Sequence, residues 1–176
     1  MKLRFVLSFV VALLFPATSF AQDPENTLYL DTAYGRVVIE MLPQVAPNHV
    51  ERIKKLVREG YYNGNQFFRV IDGFMAQTGD TTNTGTGESS YPDLKQEFSN
   101  ESFTRGAVGM ARTSDSYDTA NSQFFICFAD STFLDGQYTL WGRVTQGIEF
   151  VDKIKRGEPP ANPDIIVKIQ VAADAK

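Results

Sequence analysis

Gln66-Phe67-Phe68-Arg69-Val70-Ile71-Asp72-Gly73-Phe74-Met75-Ala76-Gln77-Thr78-Gly79-Asp80, residues 66–80, is the stretch whose reading decides the fold. Two short apolar runs flank a turn signal at Asp72-Gly73, and one arginine stands among the large side chains. Residues two apart along a strand share a face, so Arg69 lies on the face of Phe67 and Ile71. Arginine cannot shed its charge, and a charge on an apolar face is costly without a partner. Arg69 is therefore either a solvated edge residue or the reason the stretch exists. A two-residue loop would pair Ile71 with Phe74 and Arg69 with Ala76. A three-residue loop, Asp72 to Phe74, would pair Ile71 with Met75 and Arg69 with Gln77. The second register is favoured, because it gives Arg69 a polar neighbour across the ladder.

Upstream of this hairpin, Thr27 to Asp31 and Arg36 to Leu42 read as strands joined by a turn at Gly35. A helix is expected over Pro47 to Glu59. Proline suits a first turn, and Val50, Ile53, Leu56 and Val57 form an apolar stripe at helical spacing. Glu51 and Lys55 form an i,i+4 pair on it. His49, the chain's one histidine, reads as an exposed surface residue of the first turn rather than a catalytic base. Downstream, Thr81 to Tyr91 and Arg112 to Asn121 are polar loops of the kind that often border a site. Lys95 to Phe98 reads as a short strand, and Gly106 to Ala111 as another. In the strand Ser122 to Phe128, Phe124, Ile126 and Phe128 face the core, while Gln123, Phe125 and Cys127 form the other face. A strand over Gln137 to Val144, a short helix over Gly147 to Lys155, a Pro-rich turn and a strand over Asp164 to Ala172 complete the chain. About eight strands and two helices in one domain favour a closed antiparallel barrel or a sandwich.

The chain has 176 residues. A basic start at Lys2 and Arg4, an apolar run from Phe5 to Phe15 and small residues before Ala21 describe a signal peptide over residues 1–21. The apolar run is too short for an ordinary membrane span. The mature segment, residues 22–176, then forms a single domain with a net charge of −6, from 15 basic against 21 acidic residues. That charge argues against nucleic acid or an anionic membrane surface as partner. Cys127 is the single cysteine, so no intramolecular disulfide can form. It reads as a small buried hydrophobe.

The usual catalytic sets are missing. The sequence has no G-x-S-x-G elbow, no H-E-x-x-H, no cysteine cluster and no dinucleotide fingerprint. No metal and no cofactor are expected. One arginine, two glutamines and many large apolar side chains suit binding an apolar residue beside a hydrogen-bonded backbone. A proline ring on an extended peptide fits that description.

These residues resemble a known family. Phe67 to Asp80 is similar to the signature of cyclophilins, the peptidyl-prolyl cis-trans isomerases. Ser122-Gln123-Phe124-Phe125-Ile126 resembles their second signature, and Phe133-Leu134-Asp135-Gly136 the third. With the signal peptide, the chain resembles a bacterial periplasmic cyclophilin. The resemblance implies a mainly β fold, a closed eight-stranded antiparallel β-barrel capped by two α-helices. It implies Arg69 as the catalytic arginine, Gln77 as its orienting partner and Gln123 as a binder of substrate backbone. Phe74, Met75, Phe125 and Leu134 would line a proline pocket, with Ala111 and Arg112 presenting main-chain groups. The family usually has asparagine where Arg112 stands, so only its backbone role carries over. Phe133 and Tyr138 stand where many members carry tryptophan and histidine. Activity should survive those changes, but cyclosporin binding should be weak. Thr78 replaces a common glycine and would narrow the adjacent subsite. The implied partners are proline-containing, unfolded exported polypeptides met in the periplasm by a monomer. The alternatives from other classes are a peptide-binding chaperone without catalysis and a barrel carrying a small apolar ligand.

Overall fold

The computed structural model describes residues 23–176; the expected signal peptide lies outside the described residues. Eight strands form one sheet: β1 (Thr27–Thr32), β2 (Gly35–Met41), β3 (Arg69–Ile71), β4 (Met75–Thr78), β5 (Ala107–Met110), β6 (Phe124–Cys127), β7 (Leu140–Gln146) and β8 (Lys168–Val171). Their order is β3-β4-β6-β5-β7-β2-β1-β8, and every pairing is antiparallel. Two helices, α1 (Pro47–Arg58) and α2 (Ile148–Val151), pack against it. The sheet is a curled half-barrel with β3 and β8 at its edges. Among the described residues the two edge strands are not paired with each other. A short seam joins the segments leading into them: Gly64 N–H donates to Ile166 O (2.8 Å), Ile166 N–H to Asn65 O and Phe67 N–H to Asp164 O (both 2.9 Å).

Alternation along β6, which lies between β4 and β5, creates two apolar layers. Phe124 and Ile126 point into an inner core with Trp141, Tyr62 and Phe67. Phe124 meets Trp141 edge-on at 5.6 Å and Tyr62 at 5.4 Å. Phe125 and Cys127 point the other way, into a second cluster with Met75, Phe103, Leu134 and Leu140. Both faces of β6 are buried, as its unbroken apolar run requires. Burial at Cys127 pushes its thiol up to about 12. The inner core is completed by the α1 stripe of Val50, Ile53, Leu56 and Val57, and by Val151 and Ile154 at α2.

Several expectations need correction. Lys95 to Phe98 forms no strand. That segment is held by side chains, with Gln96 N–H donating to Asp118 Oδ1 (2.9 Å) and Glu97 N–H to Thr139 Oγ1 (2.9 Å). Helix α2 has one turn, and Ile154 reaches the core from the turn that follows. Glu51 pairs with Lys54 (3.0 Å), while Lys55 lies over the Tyr91 ring at 4.1 Å. His49 is not a surface residue: it is fully buried, and its Nδ1 lies 2.6 Å from Glu97 Oε2. The same carboxylate accepts from the Asn48 and His49 amides, and so caps the first turn of α1 where a negative charge is favoured. Burial lowers the His49 pKa below its ordinary value against the opposing pull of Glu97.

Candidate active site

The hairpin has the three-residue loop. Arg69 pairs with Gln77, Val70 with Ala76 and Ile71 with Met75, and Gly73 takes φ +69° in the turn, a conformation that favours glycine. The register places a line of polar side chains on one face. Arg69 Nη1 donates to Gln77 Oε1 (3.2 Å), and Gln77 Nε2 donates to Gln123 Oε1 (2.8 Å). Gln123 Nε2 donates in turn to the carbonyls of Gly85 (3.1 Å) and Gly87 (2.8 Å). On its other side, Arg69 Nε donates to Glu158 Oε2 (2.8 Å). Glu158 reaches Arg69 because neighbouring Gly157 exchanges two main-chain hydrogen bonds with Val70, each 2.8 Å. The guanidinium is thus braced by an amide and a carboxylate, which uses two of its five donors.

Beside Arg69 opens a pocket of about 390 Å³. Met75, Phe125 and Leu134 form its buried floor, with Phe74, Ala111 and Tyr138 around them. Phe133 is 68% exposed at the rim, 5.3 Å from Phe74 between ring centroids. Gln77 and Arg112 lie on the polar side. The structure therefore brings together all the expected site residues but Gln123, which lines an adjoining pocket of about 280 Å³ with Gln77, Ala111 and Arg112. Loops 81–91 and 112–121 both contribute to that second pocket. The Ala111 amide is already engaged, donating to Gln123 O (2.9 Å). Thr78 narrows neither pocket: strand alternation turns it away from the Gln77 face, and its hydroxyl donates to Gln66 O (2.9 Å).

The floor depends on a glycine. Phe125 stacks on Phe103 at 5.8 Å and meets Tyr138 edge-on at 5.7 Å. A Cβ at Gly109 would lie 2.6 Å from both Phe103 and Phe125. Gly109→Ala is expected to cost about 1–3 kcal/mol through overpacking and to tilt Phe125 into the pocket. Thermal denaturation and the KM for a proline-containing peptide measure the two effects.

Two contributors escaped the sequence reading. Glu158 is 89 residues from Arg69, and no local pattern links them. Asp80 has a local signal: hydroxyls at positions two and four beyond it mark an Asx-type turn. Its carboxylate is fully buried and gathers the loop. It accepts from the Thr82 amide and hydroxyl (both 2.7 Å), from the Thr84 amide and hydroxyl (3.0 and 3.3 Å), and from the Gly85 (2.7 Å) and Gly87 (3.0 Å) amides. Burial alone would raise its pKa; donation from Thr82, Gly87 and Gly85 outweighs that and holds it down to about 2. The carbonyls that anchor Gln123 belong to this Asp80-centred loop.

A curled antiparallel sheet thus carries a braced arginine beside an apolar pocket. The family model for cyclophilin type peptidyl-prolyl cis-trans isomerase/CLD matches residues 27–171. A probable peptidyl-prolyl cis-trans isomerase of Brucella suis biovar 1 (strain 1330) is 53% identical over 175 residues, covering 90% of this chain and 89% of that protein. The Homo sapiens peptidyl-prolyl cis-trans isomerase-like 1 is 40% identical over 142 residues, covering 75% and 80%. Among solved structures, the cyclophilin AquaCyp293 from Hirschia baltica superposes with a TM-score of 0.80 at 32% identity, covering 88% of this chain and 76% of that one. A Cryptosporidium parvum cyclophilin type isomerase crystallised in the presence of the dipeptide Ala-Pro gives 0.76 at 27% identity, covering 82% and 98%. The chain belongs to the cyclophilin-type peptidyl-prolyl cis-trans isomerase family. It is an enzyme of that family.

Proposed function

We propose that this isomerase accelerates rotation about Xaa-Pro bonds in exported polypeptides, with the proline ring in the 390 Å³ pocket and Arg69 as the polarising donor. The observation that carries this reading is Arg69, braced by Gln77 and Glu158 at the rim of an apolar slot floored by Met75, Phe125 and Leu134. The imide bond resists rotation because the nitrogen lone pair is shared with the carbonyl, with a barrier of roughly 18–20 kcal/mol. A donor to the prolyl nitrogen localises that pair and weakens the double-bond character. Arg69 supplies it with no proton transfer, as preorganised electrostatics, while the pocket holds the ring and the acyl side turns. Gln123 has both amide hydrogens committed to the Gly85 and Gly87 carbonyls, and its role is to accept from a peptide N–H through Oε1.

The N-terminal sequence supports export to the periplasm, with the mature domain at residues 22–176 acting as a monomer on unfolded, proline-containing clients. Phe133 at the rim supports weak cyclosporin binding. The seam between residues 64–67 and 164–166 supports reading the curled sheet as a closed barrel. An NMR exchange or protease-coupled assay on an Ala-Pro peptide, with the chain beginning at Gln22, tests the activity; an interconversion rate equal to the uncatalysed one would remove it.

Glu158 acts through Arg69. Glu158→Gln keeps an acceptor but loses the charge, and is expected to lower kcat about two- to fivefold with little change in KM, the scale of a half-exposed ion pair. Glu158→Ala, with no acceptor, should lower it further. A matching rise in KM would instead assign Glu158 to peptide binding.

A further inference from the structure

Among the described residues, the charged side chains lining the proline pocket are Arg69 and Arg112, and no carboxylate lines it. Arg69 is neutralised by Glu158. Among the described residues, Arg112 is held by neutral groups. Its guanidinium lies between the Tyr117 and Tyr138 rings, 4.5 and 4.6 Å from their centroids. It donates to the carbonyls of Gln137 (3.1 Å), Thr113 (2.7 Å) and Ser116 (3.4 Å). Tyr117 is fixed in turn by donation to Gln137 Oε1 (2.9 Å) and by edge-on contact with Phe98 at 5.3 Å. Five neutral partners set the orientation of this cation, and none of them cancels its charge.

Its position matters because Arg112, Ala111 and Gln77 form the wall shared by the proline pocket and the adjoining one. A peptide with its proline seated in one and its chain passing toward the other crosses Arg112 within a residue or two of the ring. Glu88 lines the second pocket and not the first, and would repel a client carboxylate there, so the carboxylate is favoured at Arg112 on the side of the proline pocket. We propose that Arg112 is a specificity-determining residue that favours client segments carrying an acidic side chain one or two positions from the proline. Arginine suits the task, since its planar fork holds the ring stack and the carbonyls while a remaining donor meets a carboxylate.

The proposal rests on the isomerase reading above, and its test separates the two. Peptides with Glu, Gln or Lys at each of the two positions on either side of proline are compared by NMR exchange, which involves no protease with preferences of its own. At one or more positions kcat/KM should be roughly three- to tenfold higher for Glu than for Gln, and lowest for Lys. The preference should shrink as salt rises from about 0.01 M to about 1 M, as screening requires. Arg112→Gln should abolish it, and Arg112→Lys should keep part of it as a point charge. Because the readout is a ratio of substrates within one protein, a variant with a loosened loop still reports. Normal turnover of the Gln peptides with a Glu-to-Gln ratio near one at every position would overturn the proposal, as would a preference that survives Arg112→Gln. No turnover of any peptide by the unaltered protein would overturn the isomerase reading and this inference with it.

Discussion

Arg69→Ala is expected to lower kcat/KM on an Ala-Pro peptide by roughly 10²–10³-fold, the usual loss when one preorganised donor is removed from a reacting group. The fold should persist. The arginine sits on a three-residue edge strand, its side chain is 41% exposed, and exposed ion pairs contribute little stability. The pocket floor comes from Met75, Phe125 and Leu134, which do not depend on it, so KM should change less than kcat. Arg69→Lys keeps the charge but cannot hold Gln77 and Glu158 at once, and should fall between the two. NMR exchange rates beside a thermal melt of each variant measure both quantities. Unchanged turnover in Arg69→Ala would take this residue out of the mechanism.

Asp80→Asn should have the largest effect on stability. The substitution keeps the shape but places an amide where six donors converge on a buried carboxylate. A loss of about 2–4 kcal/mol is expected, or a fall in Tm of roughly 5–15 °C for a domain of this size. The pH dependence has a definite sign. The native carboxyl titrates at about 2 against an ordinary 3.8, so its contribution is present above about pH 4 and is lost as pH falls toward 2. Denaturant midpoints across that window should converge for the two proteins at the acid end. Activity should fall as well, because loop 81–91 presents the Gly85 and Gly87 carbonyls that anchor Gln123. A variant as stable as the parent at neutral pH would contradict this account of the loop.

How much of this was legible depends on the range of the interaction. The hairpin register was readable because turn chemistry and cross-strand polarity at Arg69 and Gln77 act within a dozen residues. The two faces of β6 were readable because alternation is local. Lys95 to Phe98 misled because nothing local says that Asp118 and Thr139 will take its amides. His49 misled for the same reason: Glu97, which makes its burial tolerable, lies 48 residues away. Thr78 was placed by analogy with a glycine when its own alternation turns it away from the pocket. Among the site residues, the Arg69–Gln77 pairing follows from pattern, whereas the pocket residues Phe74, Met75, Phe125 and Leu134 and the role of Gln123 came from the family resemblance. The Glu158 brace and the stacking of Arg112 between two tyrosines are products of tertiary packing.

Cys127 has one further consequence. Its sulfur is shut away beneath the pocket and held as a thiol at any physiological pH. Unfolded secretory chains carry oxidising cysteines of their own, and a helper offering an accessible thiolate would be caught in mixed disulfides with them. If the clients are exported chains, as proposed above, a domain whose one thiol stays protonated and out of reach would release them with their own pairing chemistry undisturbed.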